Sequence, residues 1–375
     1  MQKITKKIIS LKKIITPKEF IKKWIAGLLL FIAYHALVWF FFTSRLLGVD
    51  VPLQVGDLAR IGYCPQSIHL RERTIDLPKT HLEFSEWQRE SIDIMTLGDS
   101  FSNGGASGQN PYYQDYLASR NGYNVLNINP SLFGENYIEA IVALLNSGAL
   151  DTIKPKAIML ESIERSTVGR FAQSINWDRN ESQKALIDDL KNGKWGDAKL
   201  SKDKQVFITT ANYKLPLYNL FYLFSPNAFG YSGLYKLKLD SSLFSVKDDS
   251  TLLAYKQDIT SIFGMTPKNI TLMNDNFNHL ADLLAAKGIH LIVMPAVDKY
   301  DLYYDHISHN PYNRNPFFDL LRPMEKRYTF IDTKAMLSVE LKKGRKNIFY
   351  ADDTHWSNLA SEAITSNEEM KLLLQ

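Results

Sequence analysis

The sequence predicts an α/β protein, with a parallel sheet covered by helices on both faces and one membrane-spanning helix ahead of it. Three observations carry this. Short apolar runs alternate with segments of helical spacing from residue 91 onward, as strands and crossover helices do. A stretch of 19 residues without charge, Trp24 to Phe42, spans roughly 28 Å as a helix, close to the hydrocarbon thickness of a bilayer. The net charge of +4 is unevenly spread, because residues 1–23 hold eight Lys and one Glu and the rest of the chain is slightly acidic. A basic excess confined to a short tail excludes a nucleic-acid-binding reading and expects no nucleic-acid partner.

The elements follow in order. Residues 1–23 read as a basic cytoplasmic tail and residues 24–44 as a transmembrane anchor, interrupted by the polar Tyr34 and His35. A cleaved signal peptide or a buried core helix is the competing reading. The stretch ends in Phe40-Phe41-Phe42-Thr43-Ser44-Arg45 without a small-x-small site, which favours retention. The Lys-rich side then stays inside and residues 45–375 face outward. Residues 45–90, with Pro52, Pro65 and Pro78, read as a juxtamembrane linker or a first strand pair.

From 91 to 375 the pattern predicts one domain. Ile92 to Leu97 is a first strand, Tyr112 to Arg120 a helix, Tyr123 to Ile128 a second strand, and Tyr137 to Leu145 a helix. Ala157 to Leu160 is a third strand. Ile270 to Ala286, Phe317 to Lys326 and Asn358 to Leu374 are helices, and Ile289 to Met294 and Tyr328 to Ile331 are strands. Residues 166–269 break the alternation. Their length and aromatic content predict an inserted cap that borders the carboxyl edge of the sheet with Trp or Tyr side chains. Cys64 is the single cysteine, so no intrachain disulfide exists.

Two segments carry chemistry. Leu97-Gly98-Asp99-Ser100 ends the first strand, and an Oγ on a turn at that edge can serve as a nucleophile while the Ser100 N–H helps hold an oxyanion. Asp352-Asp353-Thr354-His355 precedes the last helix and offers an imidazole base with a carboxylate to orient it. The bland alternative has the two acids capping that helix, a task Ser357 can also perform. Of the other histidines, His35 is in the span, His279 and His290 fall in regular elements, and His69, His81, His306 and His309 lack the strand-edge context. His306 and His309 have a zinc-like spacing without a third ligand, so no metal and no cofactor are expected.

Together the two segments resemble the SGNH (GDSL-like) hydrolase superfamily, whose first block carries Gly-Asp-Ser and whose last carries Asp-x-x-His. The wording Leu97-Gly98-Asp99-Ser100-Phe101 with Asp353-Thr354-His355-Trp356 is similar to the branch of alginate O-acetyltransferase-like proteins of bacterial exopolysaccharide export. The resemblance implies a flavodoxin-like three-layer sheet, a serine acyl-enzyme at Ser100 and His355, and saccharide hydroxyls or their esters as substrate. It assigns Asp352 as the triad acid by the longer spacing, with Asp353 as the alternative. Gly134 matches the second-block glycine loosely and is the second oxyanion candidate beside Ser100. The Gly-x-Asn-Asp block is missing, and Leu160-Glu161-Ser162-Ile163-Glu164-Arg165 stands in its place. Arg165, Tyr300 and Trp356 are the residues expected to touch substrate; for Arg165 the competing reading is a surface ion pair with Glu161 or Glu164. The implied activity is an O-acyltransferase, in the first place an acetyltransferase, at the bacterial inner membrane. Its partners would be a polysaccharide acceptor, an acyl donor and a membrane protein that passes acyl groups. An esterase, or a non-catalytic polysaccharide-binding component, remains open.

Overall fold

The computed structural model describes residues 16–47, 55–64, 76–106, 110–129, 136–192, 206–224 and 233–374. Gly134 and Trp195 lie outside the described residues. Among the described residues eight strands are formed: β1 (Leu82–Glu83), β2 (Ile94–Leu97), β3 (Val125–Ile128), β4 (Ala157–Ile163), β5 (Leu234–Lys238), β6 (Thr251–Tyr255), β7 (His290–Ala296) and β8 (Thr329–Phe330). Six of them make one sheet in the order β1-β3-β2-β4-β7-β8, every pair parallel. Without the edge strand β1, this is the 2-1-3-4-5 order of a flavodoxin-like sheet. β2, β3 and β4 are buried at every position, as continuous apolar runs covered on both faces must be.

The order of the sheet reverses at β2, which has the later β3 on one side and β4 on the other. A crevice forms at the carboxyl ends of the strands at such a point, and Ser100 follows β2 there. Helices cover both faces. The Tyr113–Asn121 helix packs on the Asn358–Thr365 helix, while the Glu164–Phe171 helix packs on Pro267–Ala285 and is tied to it by Asn276 Nδ2, which donates to Phe171 O at 2.7 Å.

The structure differs from the sequence reading at several elements. The last helix stops at Thr365 and restarts at Glu368, because Ser366 and Asn367 compete for the backbone and Asn367 caps the second piece. The helix expected over 317–326 spans only Phe317–Leu321, followed by a turn at Pro323. Within 45–90 the chain forms a helix, Asp57–Gly62, and the edge strand β1. Residues 166–269 include the Gln183–Asn192 and Ala211–Phe224 helices and an antiparallel hairpin, β5–β6.

The N-terminal apolar helix runs from Pro17 to Leu47, 31 residues, so it begins before Trp24. Pro17 at its first turn and a reciprocal Thr16–Glu19 capping box start it there. From Phe20 to Ala33 its apolar side chains are all exposed, whereas His35, Thr43 and Leu46 are buried.

Candidate active site

The turn after β2 is held by its own side chains. Asn103 Nδ2 donates to the carbonyls of Gly98 (2.9 Å) and Asp99 (2.7 Å), and its Oδ1 accepts from Asn127 Nδ2 on β3 at 3.0 Å. Glycine is required at 98, since a Cβ there would overlap Ser102 Oγ and Glu161 Oε2. The chain then closes through Gly105 N, which donates to Ser100 O at 2.7 Å.

The loop before the last helix brings the base. Phe349 bridges to Trp356, so residues 350–355 form a hairpin-like excursion over the end of the sheet. Ser357 caps the Asn358–Thr365 helix, its Oγ accepting from Leu359 N at 3.1 Å, which leaves both acids for other work. Lys299, fully buried, spends all three ammonium protons on this loop, donating to the carbonyls of Tyr350 (2.7 Å), Ala351 (2.9 Å) and Asp353 (3.1 Å). Burial pushes its pKa down to about 8 against the pull of Asp352 and Asp353.

His355 Nε2 lies 2.7 Å from Ser100 Oγ, and His355 Nδ1 lies 2.6 Å from Asp353 Oδ1. With Nδ1–H donating to the carboxylate, Nε2 is the acceptor for the serine hydroxyl proton. Asp353 Oδ1 also accepts the His355 backbone N–H at 3.0 Å, and this Asx-type turn is why two residues of spacing suffice. The assignment of Asp352 is therefore corrected. Asp352 Oδ2 accepts from Gly56 N at 2.8 Å and its carbonyl from Ala59 N at 3.0 Å, so it anchors the start of the Asp57–Gly62 helix. Burial lowers the His355 pKa, but the adjacent Asp353 carboxylate outweighs it and the net direction is upward.

Four contributors to the site were not foreseen. Asp57 reaches in from the segment read as linker. It accepts from Thr354 N (2.8 Å) and Thr354 Oγ1 (2.5 Å) and stands 4.0 Å from His355 Nδ1. Burial and the charge of Asp353 push its pKa up to about 6. Asp99 accepts from Ile163 N at 2.8 Å and from Arg170 Nη1 at 2.5 Å. Burial raises its pKa, but the Arg170 charge and these hydrogen bonds outweigh it and hold the carboxyl below its usual range. Arg170 also donates to Ser162 Oγ (2.7 Å) and lies over the Tyr137 ring. Gly105 packs its Cα against the Ser–His pair. No local pattern marks Asp57, Arg170 or Gly105, and the Gly98-Asp99-Ser100 pattern does not show that Asp99 pairs with Arg170, 71 residues on. Glu161 is buried, accepting from Asp99 N (3.0 Å) and Ser102 Oγ (2.8 Å), and burial with the charge of Asp99 raises its pKa well above the carboxylate range.

A cavity of about 310 Å³ opens beside Ser100 and His355, with Asp57, Arg165, Arg170 and Tyr255 in its wall. Tyr255 closes β6, so the 166–269 segment contributes an aromatic ring to this wall. Arg165 lines the cavity, but its Nη1 is shared by Asp258 and Asp298, both at 3.0 Å, and not by Glu161 or Glu164. Tyr300 and Trp356 are corrected as substrate contacts. Tyr300 is buried with its hydroxyl donating to Asn313 O at 3.0 Å, and Trp356 is buried edge-on to Phe101. Large aromatic rings beside a pocket gain more from the core than from its wall. Asp57, Asp353 and His355 also place three possible metal-ligand atoms within 4.8 Å of one another. In this arrangement Nδ1 is engaged by Asp353 and Nε2 by Ser100, which is the geometry of a proton relay.

Residues 264–366 match the family model of an SGNH hydrolase-like domain, acetyltransferase AlgX. That segment carries β7, β8 and the Asp353–His355 pair. Ser100 lies outside it and is brought to it by the sheet. No curated protein matches the chain. The chain thus carries an SGNH-like α/β domain with one long apolar N-terminal helix.

Proposed function

We propose that this protein is a membrane-anchored serine O-acyltransferase that places an acyl group, in the first place acetyl, on an exported polysaccharide. The observation that carries the reading is the Ser100–His355–Asp353 relay, with links of 2.7 and 2.6 Å, opening on a polar cavity. Ser100 Oγ attacks the carbonyl carbon of the donor as His355 Nε2 takes its proton, and the Ser100 N–H faces the developing oxyanion. The protonated imidazole, stabilised by Asp353 and Asp57, returns the proton to the leaving group as the donor bond breaks. A sugar hydroxyl then gives its proton to His355 and attacks the acyl carbon; as the bond to Ser100 Oγ breaks, His355 passes that proton to Oγ, releasing the sugar ester and restoring Ser100 and the neutral imidazole. The acetyltransferase description of the family model matched by residues 264–366 supports acetyl as the transferred group.

The apolar Pro17–Leu47 helix, preceded by a Lys-rich tail, supports a single-pass anchor with the catalytic domain outside the inner membrane. A reporter fused after Gln375 and active only in the cytoplasm would refute that orientation. The activity is tested by incubating the full-length protein with 4-nitrophenyl acetate, with and without an oligosaccharide. Acetylated sugar establishes the transferase. Acetate release indifferent to the sugar establishes an esterase, with water in place of the hydroxyl. A Ser100→Ala variant that keeps full activity would refute the serine mechanism.

A further inference from the structure

The Ala211–Phe224 helix presents an apolar face outward. Leu217, Leu220, Phe221 and Phe224 recur at helical spacing and all are exposed, Phe224 to 79%. Of the fourteen residues only Lys214 is charged. A helix facing water places its polar residues outward and its apolar stripe inward, so this one is inverted.

Its inner face carries the polar contacts, and they lead to the apolar N-terminal helix. Asn212 Nδ2 meets His35 Nδ1 at 2.8 Å, Tyr213 Oη meets His35 Nε2 at 3.1 Å, and Tyr34 Oη donates to Asn212 O at 2.7 Å. The two polar interruptions in the apolar stretch are thus the docking points for a second helix. One turn further on, Leu37, Phe40, Phe41 and Phe42 are exposed, and the second helix packs along this Trp39–Thr43 turn. The apolar surface of one helix therefore continues onto the other.

We infer that the Ala211–Phe224 helix is a second membrane contact, lying in the bilayer interface beside the anchor with lipid as its occupant. This rests on the anchor reading given above. Continuity with the anchor decides the occupant, because a surface that adjoins a lipid-facing helix and carries one charge in fourteen residues has the chemistry of an interfacial helix. Tyr218 and Tyr222 turn the other way, Tyr222 buried with its hydroxyl on Asp248 and Tyr218 packed on Tyr63, so the opposite face is held by the protein. The contact also reaches the catalytic site. Asn219 Nδ2 donates to Tyr63 O at 2.8 Å, and the Tyr218 and Tyr63 rings meet edge-on. Tyr63 closes the Asp57–Gly62 helix, whose Asp57 stands beside His355.

The test uses the full chain reconstituted alone in phosphatidylcholine–phosphatidylglycerol vesicles, with a bimane label at Phe221→Cys, Leu29→Cys or Asp189→Cys. The native Cys64 is buried, and burial pushes its thiol pKa well up, so it does not compete for label. Labels at 221 and 29 should lose at least half their emission to lipids brominated in the acyl chains, while aqueous iodide should quench only the label at 189. If iodide quenches 221 while bromolipid quenches 29, the inference fails and the anchor stands. If bromolipid does not quench 29, the anchor reading fails and takes the inference with it. A label at 221 shielded from both quenchers would reveal a protein contact there and overturn lipid as the occupant.

Discussion

Replacing Gly105 by alanine should disable the site while leaving the fold intact. A Cβ at 105 would fall 2.5 Å from His355 Nε2 and 2.8 Å from Ser100 Cβ and from the Ser100 carbonyl oxygen. Ordinary non-bonded contacts lie at about 3.5–4 Å, so relief needs a movement of about 1 Å. The imidazole has little room to retreat, with Asp353 Oδ1 at 2.6 Å from Nδ1 and the Phe101 ring centred 4.7 Å away. The displacement falls on the 2.7 Å link to Ser100, which opens beyond hydrogen-bonding distance. A misplacement of about 1 Å costs on the order of 10²-fold, or about 3 kcal/mol in the barrier. The assay is the steady-state release of 4-nitrophenol from 4-nitrophenyl acetate, with fluorophosphonate labelling of Ser100 and the melting temperature measured alongside. The matched control is Gly169→Ala, on the Glu164–Phe171 helix, where a Cβ meets nothing within 4 Å and activity should be unchanged. A Gly105→Ala protein within threefold of the parent would refute the claim that the bare Cα is what lets Ser100 and His355 meet.

Three further outcomes are expected. Asp353→Asn should lower kcat by about 10⁴-fold through the wrong imidazole tautomer, whereas Asp352→Asn should cost less than about tenfold, since an amide oxygen can still accept from Gly56 N; kinetics giving the reverse order would restore Asp352 as the acid. Because Asp353 holds the His355 pKa above its ordinary 6.5 and the base must be neutral to act, activity should fall as pH drops through a value above 6.5. Asp57→Asn removes a carboxylate 4.0 Å from Nδ1 and should move this limb down by about 0.5–1 unit, and an unmoved limb in the pH–rate profile would count against Asp57 as a stabiliser of the imidazolium. Lys299→Met removes the ammonium donor from three buried carbonyls and should cost about 3 kcal/mol or more of stability, with a fall in kcat, by thermal melting and kinetics; a melting temperature within about a degree of the parent would show that the loop holds itself.

The sequence by itself determined whatever depends on near neighbours. The alternation of apolar runs and helical spacing determined the parallel sheet, because period and turn chemistry act over a few residues. Gly98-Asp99-Ser100 at the end of a strand marked the candidate nucleophile, and a histidine following acids just before the last helix marked the candidate base. The choice between Asp352 and Asp353 was beyond it, because both are acids on one turn. That choice depends on Asp353 folding back on the His355 backbone N–H and on Gly56, 296 residues away, taking Asp352. Asp57, Arg170 and Gly105 were silent for the same reason, since each acts on a group that only the folded chain brings near. Tyr300 and Trp356 went the other way: their residue types suit a sugar-binding wall, and burial drew both into the core. Sequence distance bounds what a local pattern can report, and a candidate site assembled from β2, the end of β4, the Asp57–Gly62 helix and the final loop lies beyond that bound.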